Sequence, residues 1–402
     1  MKQTIINGKI ILPGNIQSEG CITFENGVIT EVSEDVKIKD TDIVIDAKGN
    51  YISPGFIDIH PHGAGNSDFM DATVEAYLNI AKTHASHGTT ALLPTTLTST
   101  TEELIHTFDI YRQAKGQNTQ GSQFLGIHLE GPYFSYNQRG AQDPKYLKIP
   151  KPEEYLKILD LSDDIVRWSI APELDGALEL GKVLSERGVL PSVAHTDAIC
   201  EEVIEAFNSG YSLMTHFYSG MSTVTRRNAF RFAGAVEAGY LIDEMNLEII
   251  ADGIHLPKTL LQLIYKIKGS DKIALVTDSM RGAGMSDGNY ILGSLKTGQE
   301  VVVEDGVAKL PDRSAFAGSV ATTDRLVRTM VQIAEVSLVE AIKMMTLVPA
   351  RILKLNHRKG FLGKGKDADI VIFDEDINIK STIIMGNIIY RERNFLNDLS
   401  IC

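Results

Sequence analysis

Apolar and polar positions change rhythm twice along the chain. Up to residue 53, short runs rich in Ile, Val and Thr are separated by the turn dipeptides Asn7-Gly8 and Asn26-Gly27, the pattern of a small all-β unit. From Pro54 the unit becomes an apolar strand, a polar loop and an amphipathic helix, repeated. The strand candidates are 56–60, 90–95, 124–129, 166–170, 190–194, 212–215, 247–251 and 273–277, with helical patterns such as 73–87 and 200–209 between them. Eight strands alternating with helices match a parallel (β/α)8, TIM-like barrel in order and size. Residues 282–316 interrupt the rhythm with a hairpin at Asp305-Gly306, an excursion expected beside the barrel mouth. Helical stretches at 322–336 and 338–347 follow, and from Gly360 the chain returns to strands, with 368–373 and a turn at Gly386-Asn387. The expectation is therefore an α/β protein: a barrel over 54–355, and a small discontinuous β-sandwich domain formed by both chain ends, 1–53 and 356–402.

Composition narrows this picture. A chain of 402 residues is too long for one small core, and 43% hydrophobic content is that of an ordinary soluble globular protein. The formal charge of −13 argues against a nucleic-acid or anionic-membrane partner. An anionic substrate would have to be met by a local basic pocket rather than by the general field. No stretch reaches the roughly 18 unbroken apolar residues of a membrane span, and residues 1–9 lack the apolar core of a signal peptide and read as a strand. Cys21, Cys200 and Cys402 are odd in number and far apart, which suggests no disulfide framework. A cytoplasmic protein is expected.

Candidate chemistry lies at the strand ends. Asp58, His60 and His62 are spaced two apart, so on a strand they project from one face. Two imidazoles on one rigid face suit a divalent metal, although His-x-His beside Pro61 and Gly63 also reads as a surface turn. Other expected strands end in His128-Leu129-Glu130-Gly131-Pro132, Ala194-His195-Thr196-Asp197, Thr215-His216, Asp252-Gly253-Ile254-His255 and Thr277-Asp278-Ser279. Taken singly, His195 or His216 could be a hydrogen-bonded histidine, Asp278 a helix cap and Asp252-Gly253 a turn. Glu130 resists such a reading, because a carboxylate ending an apolar strand is costly unless paired or ligated. The C-terminal strand ends of a barrel converge on one mouth, where ligands from several strands can close a metal sphere. His84, His87, His106 and His357 lie on helical or polar stretches and are expected to be solvated or capping.

These motifs, with Ala171-Pro172-Glu173, Thr215-His216-Phe217-Tyr218 and Ala317-Gly318-Ser319, resemble the amidohydrolase superfamily, and within it the N-acetylglucosamine-6-phosphate deacetylases. The resemblance covers nearly the whole chain. It implies metal-dependent hydrolysis of the acetamide of a 6-phosphorylated N-acetyl hexosamine, with a divalent metal (zinc or iron) held by Glu130, His195 and His216 and with Asp278 as catalytic acid/base. His60 and His62 match positions that hold a second metal in some members, so one or two ions per chain are implied. His255 is similar to a substrate-contacting histidine. Arg227, with Arg226 beside it, falls close to an arginine that reaches the phosphate from a neighbouring subunit, which implies a homodimer with a shared site. Dihydroorotase-like members use a carboxylated lysine on the fourth strand, where residues 167–173 carry no lysine. The chain departs from the family at Ser219-Gly220, where Asn-Ala is frequent, and at Gln142, where a histidine faces the acetyl carbonyl; glutamine can donate to an oxyanion but carries no charge. Glucosamine is the first reading of the sugar. The galactosamine epimer, another amidohydrolase activity and a non-catalytic scaffold are the alternatives.

Overall fold

Strands from the two ends of the chain meet in one eight-stranded sheet in the computed structural model, which describes residues 2–34, 43–393 and 395, and at Arg227 the backbone only. Gln3–Leu12 pairs antiparallel with Asn15–Glu25 and parallel with Ile43–Asp46 and Tyr51–Pro54. Tyr51–Pro54 in turn pairs antiparallel with Ile370–Phe373, which carries Ile379–Ile384 and Asn387–Arg391 beside it. Seven of the eight strands follow one hydrogen-bonded path, with Ile43–Asp46 branching from Gln3–Leu12, and the core they enclose includes Ile5, Ile22, Ile52, Ile370 and Ile383. Asn26-Gly27 forms the expected turn, but Asn7-Gly8 does not. The first strand runs through it with a register shift, Asn7 is left-handed (φ 56°), and the chain turns at Pro13-Gly14 instead. A side chain at Gly8 would strike Ile52, so this glycine serves close packing rather than reversal. Neither Cys21 nor Cys200 forms a disulfide among the described residues. Cys402 and the rest of 396–402 lie outside the described residues.

The eight expected strands of the middle of the chain are all present, mostly shorter than the sequence pattern suggests. We label them β1 (Phe56–Asp58), β2 (Thr89–Leu92), β3 (Ile127–Glu130), β4 (Ile165–Ile170), β5 (Leu190–Val193), β6 (Leu213–Met214), β7 (Asn246–Ile249) and β8 (Ile273–Leu275). β3 to β8 form a parallel half-barrel in chain order, while β1, β2 and the short strand Gln123–Phe124 form a second parallel sheet. The third expected strand is thus split, because Gly126 (φ 140°) breaks it between Phe124 and Ile127. Helices such as Val74–Ser86 and Cys200–Asn208 separate the strands, and the stretch expected at 338–347 is two helices, Leu338–Met345 and Leu347–Ile352. Strands covered on both faces read as apolar runs; Ile170, Val193, Leu247 and Leu275 are fully buried.

The excursion is a three-stranded antiparallel sheet, Gly288–Leu292, Gln299–Glu304 and Val307–Lys309, with its last turn at Asp305-Gly306. The buried Arg281 anchors it, donating to the carbonyls of Ile291 and Gly293 and pairing with Asp71 at 2.8 Å. No helix among the described residues is long and apolar enough to cross a membrane.

Candidate metal centre

Each site residue reaches one small volume because a strand ends there. His195 (φ 45°), His216 (φ 32°) and Asp278 (φ 47°) all take left-handed backbone conformations just past β5, β6 and β8. Such conformations are unfavourable for residues with a side chain, by about 1–3 kcal/mol each, and concentrate where function holds them. Here they turn the chain at the strand end and leave the side chains facing the mouth. Two groups of ligand atoms result, His60/His62/Glu130 and Glu130/His195/His216, each within 4.8 Å and all buried. Glu130 is common to both. Its Oε1 lies 3.2 Å from His216 Nε2, 3.6 Å from His195 Nε2 and 3.3 Å from His60 Nε2, and its Oε2 lies 3.4 Å from His62 Nε2. Asp278 closes the group, with Oδ1 3.2 Å from His62 Nε2.

The second ring nitrogens fix the orientation. His195 Nδ1 lies 2.8 Å from the carbonyl of Gln138, and His216 Nδ1 lies 3.1 Å from that of Ser219. A carbonyl only accepts, so each Nδ1 carries the proton and each Nε2 lone pair faces the cluster. The two Nε2 atoms approach to 3.2 Å, an arrangement suited to sharing a cation. Gln138 is held by Asp197, which also accepts from Ser135 and Asn137. Gly220 (φ 58°) must be glycine, since a Cβ would lie 2.8 Å from both Gln138 O and His195 Nδ1.

Charge in the cluster follows the same logic. Burial pulls the His60 imidazole down, but Asp278 and Glu130 outweigh it and push it up to about 10. Burial pushes Glu130 up, yet His60 and the other imidazoles hold it well below the usual carboxylate range. Asp278 is also held low, against its burial, by His60 and His62. The carboxylates thus draw positive charge onto His60 and His62, which suits the place of a divalent cation. His60 Nε2 is buried and makes no hydrogen bond among the described residues, as expected of a ligand atom. The nitrogen and carboxylate donors fit a zinc-type ion.

A match to the amidohydrolase family extends over residues 51–389, nearly the whole of this architecture. The chain belongs to the amidohydrolase family. It is 35% identical to an N-acetylglucosamine-6-phosphate deacetylase of Lysinibacillus sphaericus, with 93% of this chain and 94% of the relative covered. It is 32% identical to an N-acetylgalactosamine-6-phosphate deacetylase of Escherichia coli O157:H7, over 86% of this chain and 89% of the relative. Among solved structures it superposes on an N-acetylglucosamine-6-phosphate deacetylase of Pasteurella multocida with a TM-score of 0.90 and 26% identity, covering 96% of this chain and 99% of that one.

In this amidohydrolase the cluster opens into a cavity of about 200 Å³. His255, Gln142, Ser219 and Gly220 line it, joined by Leu97, Leu292 and Phe316, the last two supplied by the excursion and its return. His255 Nδ1 pairs with Asp252 at 2.8 Å, which orients the ring at the cavity wall. Gln142 accepts from the Thr98 N–H at 3.1 Å and donates to Glu130 Oε2 at 2.7 Å. No lysine or arginine lines the cavity among the described residues. Arg226 is instead exposed on a hairpin, Thr225–Arg227 with Phe230–Phe232, and the Arg227 side chain lies outside the described residues.

Two expectations are corrected. Asp58 does not share a face with His60 and His62, because β1 ends at Asp58 and its carboxyl turns to Thr277, accepting from the hydroxyl at 2.5 Å. His84 is neither solvated nor capping. It is buried on helix Val74–Ser86 and contacts Ser279 Oγ at 3.3 Å. The spacing of Tyr77, Ile80, Ala81, His84 and Ala85, all buried, carries that signal. His87 does stand at the cap position, beside Asp324, while His106 and His357 are exposed. Sequence reasoning also missed Arg167 and Glu248, a fully buried ion pair beneath the cluster.

Proposed function

We propose that the protein hydrolyses the acetamide of N-acetylglucosamine 6-phosphate to glucosamine 6-phosphate and acetate. The observation that carries this reading is the pair of ligand triads sharing Glu130, with Asp278 beside them, in a chain 35% identical to a deacetylase of that sugar phosphate. Glu130, His195 and His216 hold one divalent ion, zinc or iron, and His60, His62 and Glu130 hold a second. When bound, such an ion supplies Lewis acidity toward water and the acetyl carbonyl.

The chain's own residues do the rest. Asp278, kept ionised by its imidazole neighbours, takes a proton from the attacking water and passes it to the amide nitrogen as the C–N bond breaks. The amine must be protonated to leave, so a single carboxyl that first accepts and then donates balances the step. Gln142 steadies Glu130 and presents its amide edge to the cavity, and His255, oriented by Asp252, contacts the sugar phosphate. Ser219 and Gly220 border the same wall. The apolar surface of Leu97, Leu292 and Phe316 limits the water around the acetyl group.

Closure of β1 to β8 into one (β/α)8 barrel over 54–355 is supported by the parallel bridge between Thr95 and His128 and by the Asp278 N–H bond to His60 O at 2.7 Å. The end sheet then forms the second domain, from 1–53 and 356–402. The cavity lacks a strong cation for a phosphate, and the Arg226/Arg227 hairpin exposes Val224 and Phe230. Both features support a homodimer in which the hairpin of one copy completes the site of the other.

A galactosamine reading is favoured by the 32% identity to a deacetylase of that epimer. Acetate release from N-acetylglucosamine, N-acetylgalactosamine and their 6-phosphates decides between them. Faster release from the glucosamine 6-phosphate supports the proposal, and preference for the galactosamine epimer replaces it.

A further inference from the structure

The second ring nitrogens of the four clustered histidines are held in different ways. His195 and His216 use main-chain carbonyls, and His62 Nδ1 is buried without a hydrogen-bond partner among the described residues. His60 differs. Its Nδ1 lies 3.3 Å from Glu248 Oε2, on β7, and Glu248 is gripped from the other side by Arg167, on β4. Both members of the pair are fully buried in the strand layer below the mouth. Arg167 is itself positioned by the carbonyl of Ile59 and the hydroxyls of Ser192 and Thr215.

We propose that Glu248, held by Arg167, is a positioning residue that fixes His60 as an Nε2 donor and so equips the His60/His62/Glu130 half of the site for an ion of its own. Glu248 Oε2 is surrounded by donors: Arg167 Nη2 at 2.9 Å, the His216 N–H at 3.4 Å and His60 Nδ1. A carboxylate can only accept. His60 Nδ1 therefore keeps its proton, and Nε2 is the one nitrogen left to face Glu130. A buried ion pair gives little net stability over a well-packed apolar pair, so stability alone does not account for it. Carboxylates behind metal-bound histidines orient the ring, and losing them weakens binding about 10–100-fold. The contact to His216 is a long one to its main chain, and the ring of His216 is set by Ser219, so the effect falls on one ion.

This inference rests on the two-ion reading above, and zinc titration of metal-stripped protein tests both. Glu248→Leu alone strands a buried guanidinium, so the informative variant is Arg167→Leu with Glu248→Leu, which removes the pair as a unit. Wild type is expected to bind two zinc ions. The double variant should keep one at unchanged affinity and bind the other about 10–100-fold more weakly, with ¹⁵N-histidine spectra assigning the weakened ion to His60 and His62. Equal loss of both ions, or no loss of either, overturns the positioning role; a wild type that binds one ion overturns the two-ion reading and this inference with it. Should the double variant not fold, the zinc-loaded wild type still decides: coordination of His60 through Nδ1 contradicts the proposal, and through Nε2 with a protonated Nδ1 supports it.

Discussion

Asp278 shares its surroundings with ligands but has a different task. Its Oδ1 lies within 3.2 Å of His62 and 3.7 Å of His60, whereas Glu130 touches all four clustered imidazoles. Asp278→Asn should therefore keep the fold and most of the metal while lowering turnover by several orders of magnitude. Near-normal turnover with metal bound would remove Asp278 from the proton path. The identity of these residues was legible because their motifs end apolar strands, and strand ends of this fold class converge. Glu248 and Arg167 were not legible. Each sits inside a buried strand, in Leu247-Glu248-Ile249 and Val166-Arg167-Trp168, and a lone charge there announces some partner without naming one 81 residues away.

At the scale of the element, helix Val74–Ser86 ties the site to its surroundings through His84. Burial, with His87 nearby, lowers His84 from its ordinary value to about 3, so it is neutral in the folded protein. The unfolded chain binds a proton below about 6.5. The associated stability is thus fully present above that pH and declines as pH falls toward 3, by up to about 1.4 kcal/mol per pH unit. His84→Gln keeps a side chain able to reach Ser279 and removes the titration. Its urea-unfolding free energy should fall less steeply than wild type between pH 6.5 and 4, and identical slopes would show that His84 is not buried neutral. Element boundaries were the least legible feature: strand candidates ran up to three residues into the polar ends, as at 90–95 against Thr89–Leu92, because residues past a strand still look strand-like until turns such as the left-handed ones at His195, His216 and Asp278 are seen.

For the whole molecule, the unresolved balance in the sequence is electrostatic. A chain of net charge −13 is proposed to bind a phosphorylated sugar in a cavity lined by no lysine or arginine among the described residues. A borrowed arginine meets that need, since charge-assisted bidentate contacts contribute roughly 1.5–3 kcal/mol, one to two orders of magnitude in affinity. Arg227→Ala should raise KM for the phosphorylated sugar and leave the unphosphorylated sugar almost unchanged. Mixing it with Asp278→Asn subunits should restore part of the efficient activity, because a mixed dimer contains one site with both groups intact. A mixture as poor as its parents, with subunit exchange verified, would place the arginine's role within its own chain or remove it. The central claim, metal-dependent deacetylation, is tested most directly by stripping the protein with a chelator and following acetate release from N-acetylglucosamine 6-phosphate as zinc or ferrous ion is returned. We predict that acetate release is abolished in the stripped protein and recovers in step with the ion bound. Release that persists without metal, or none in the fully loaded protein, would contradict it.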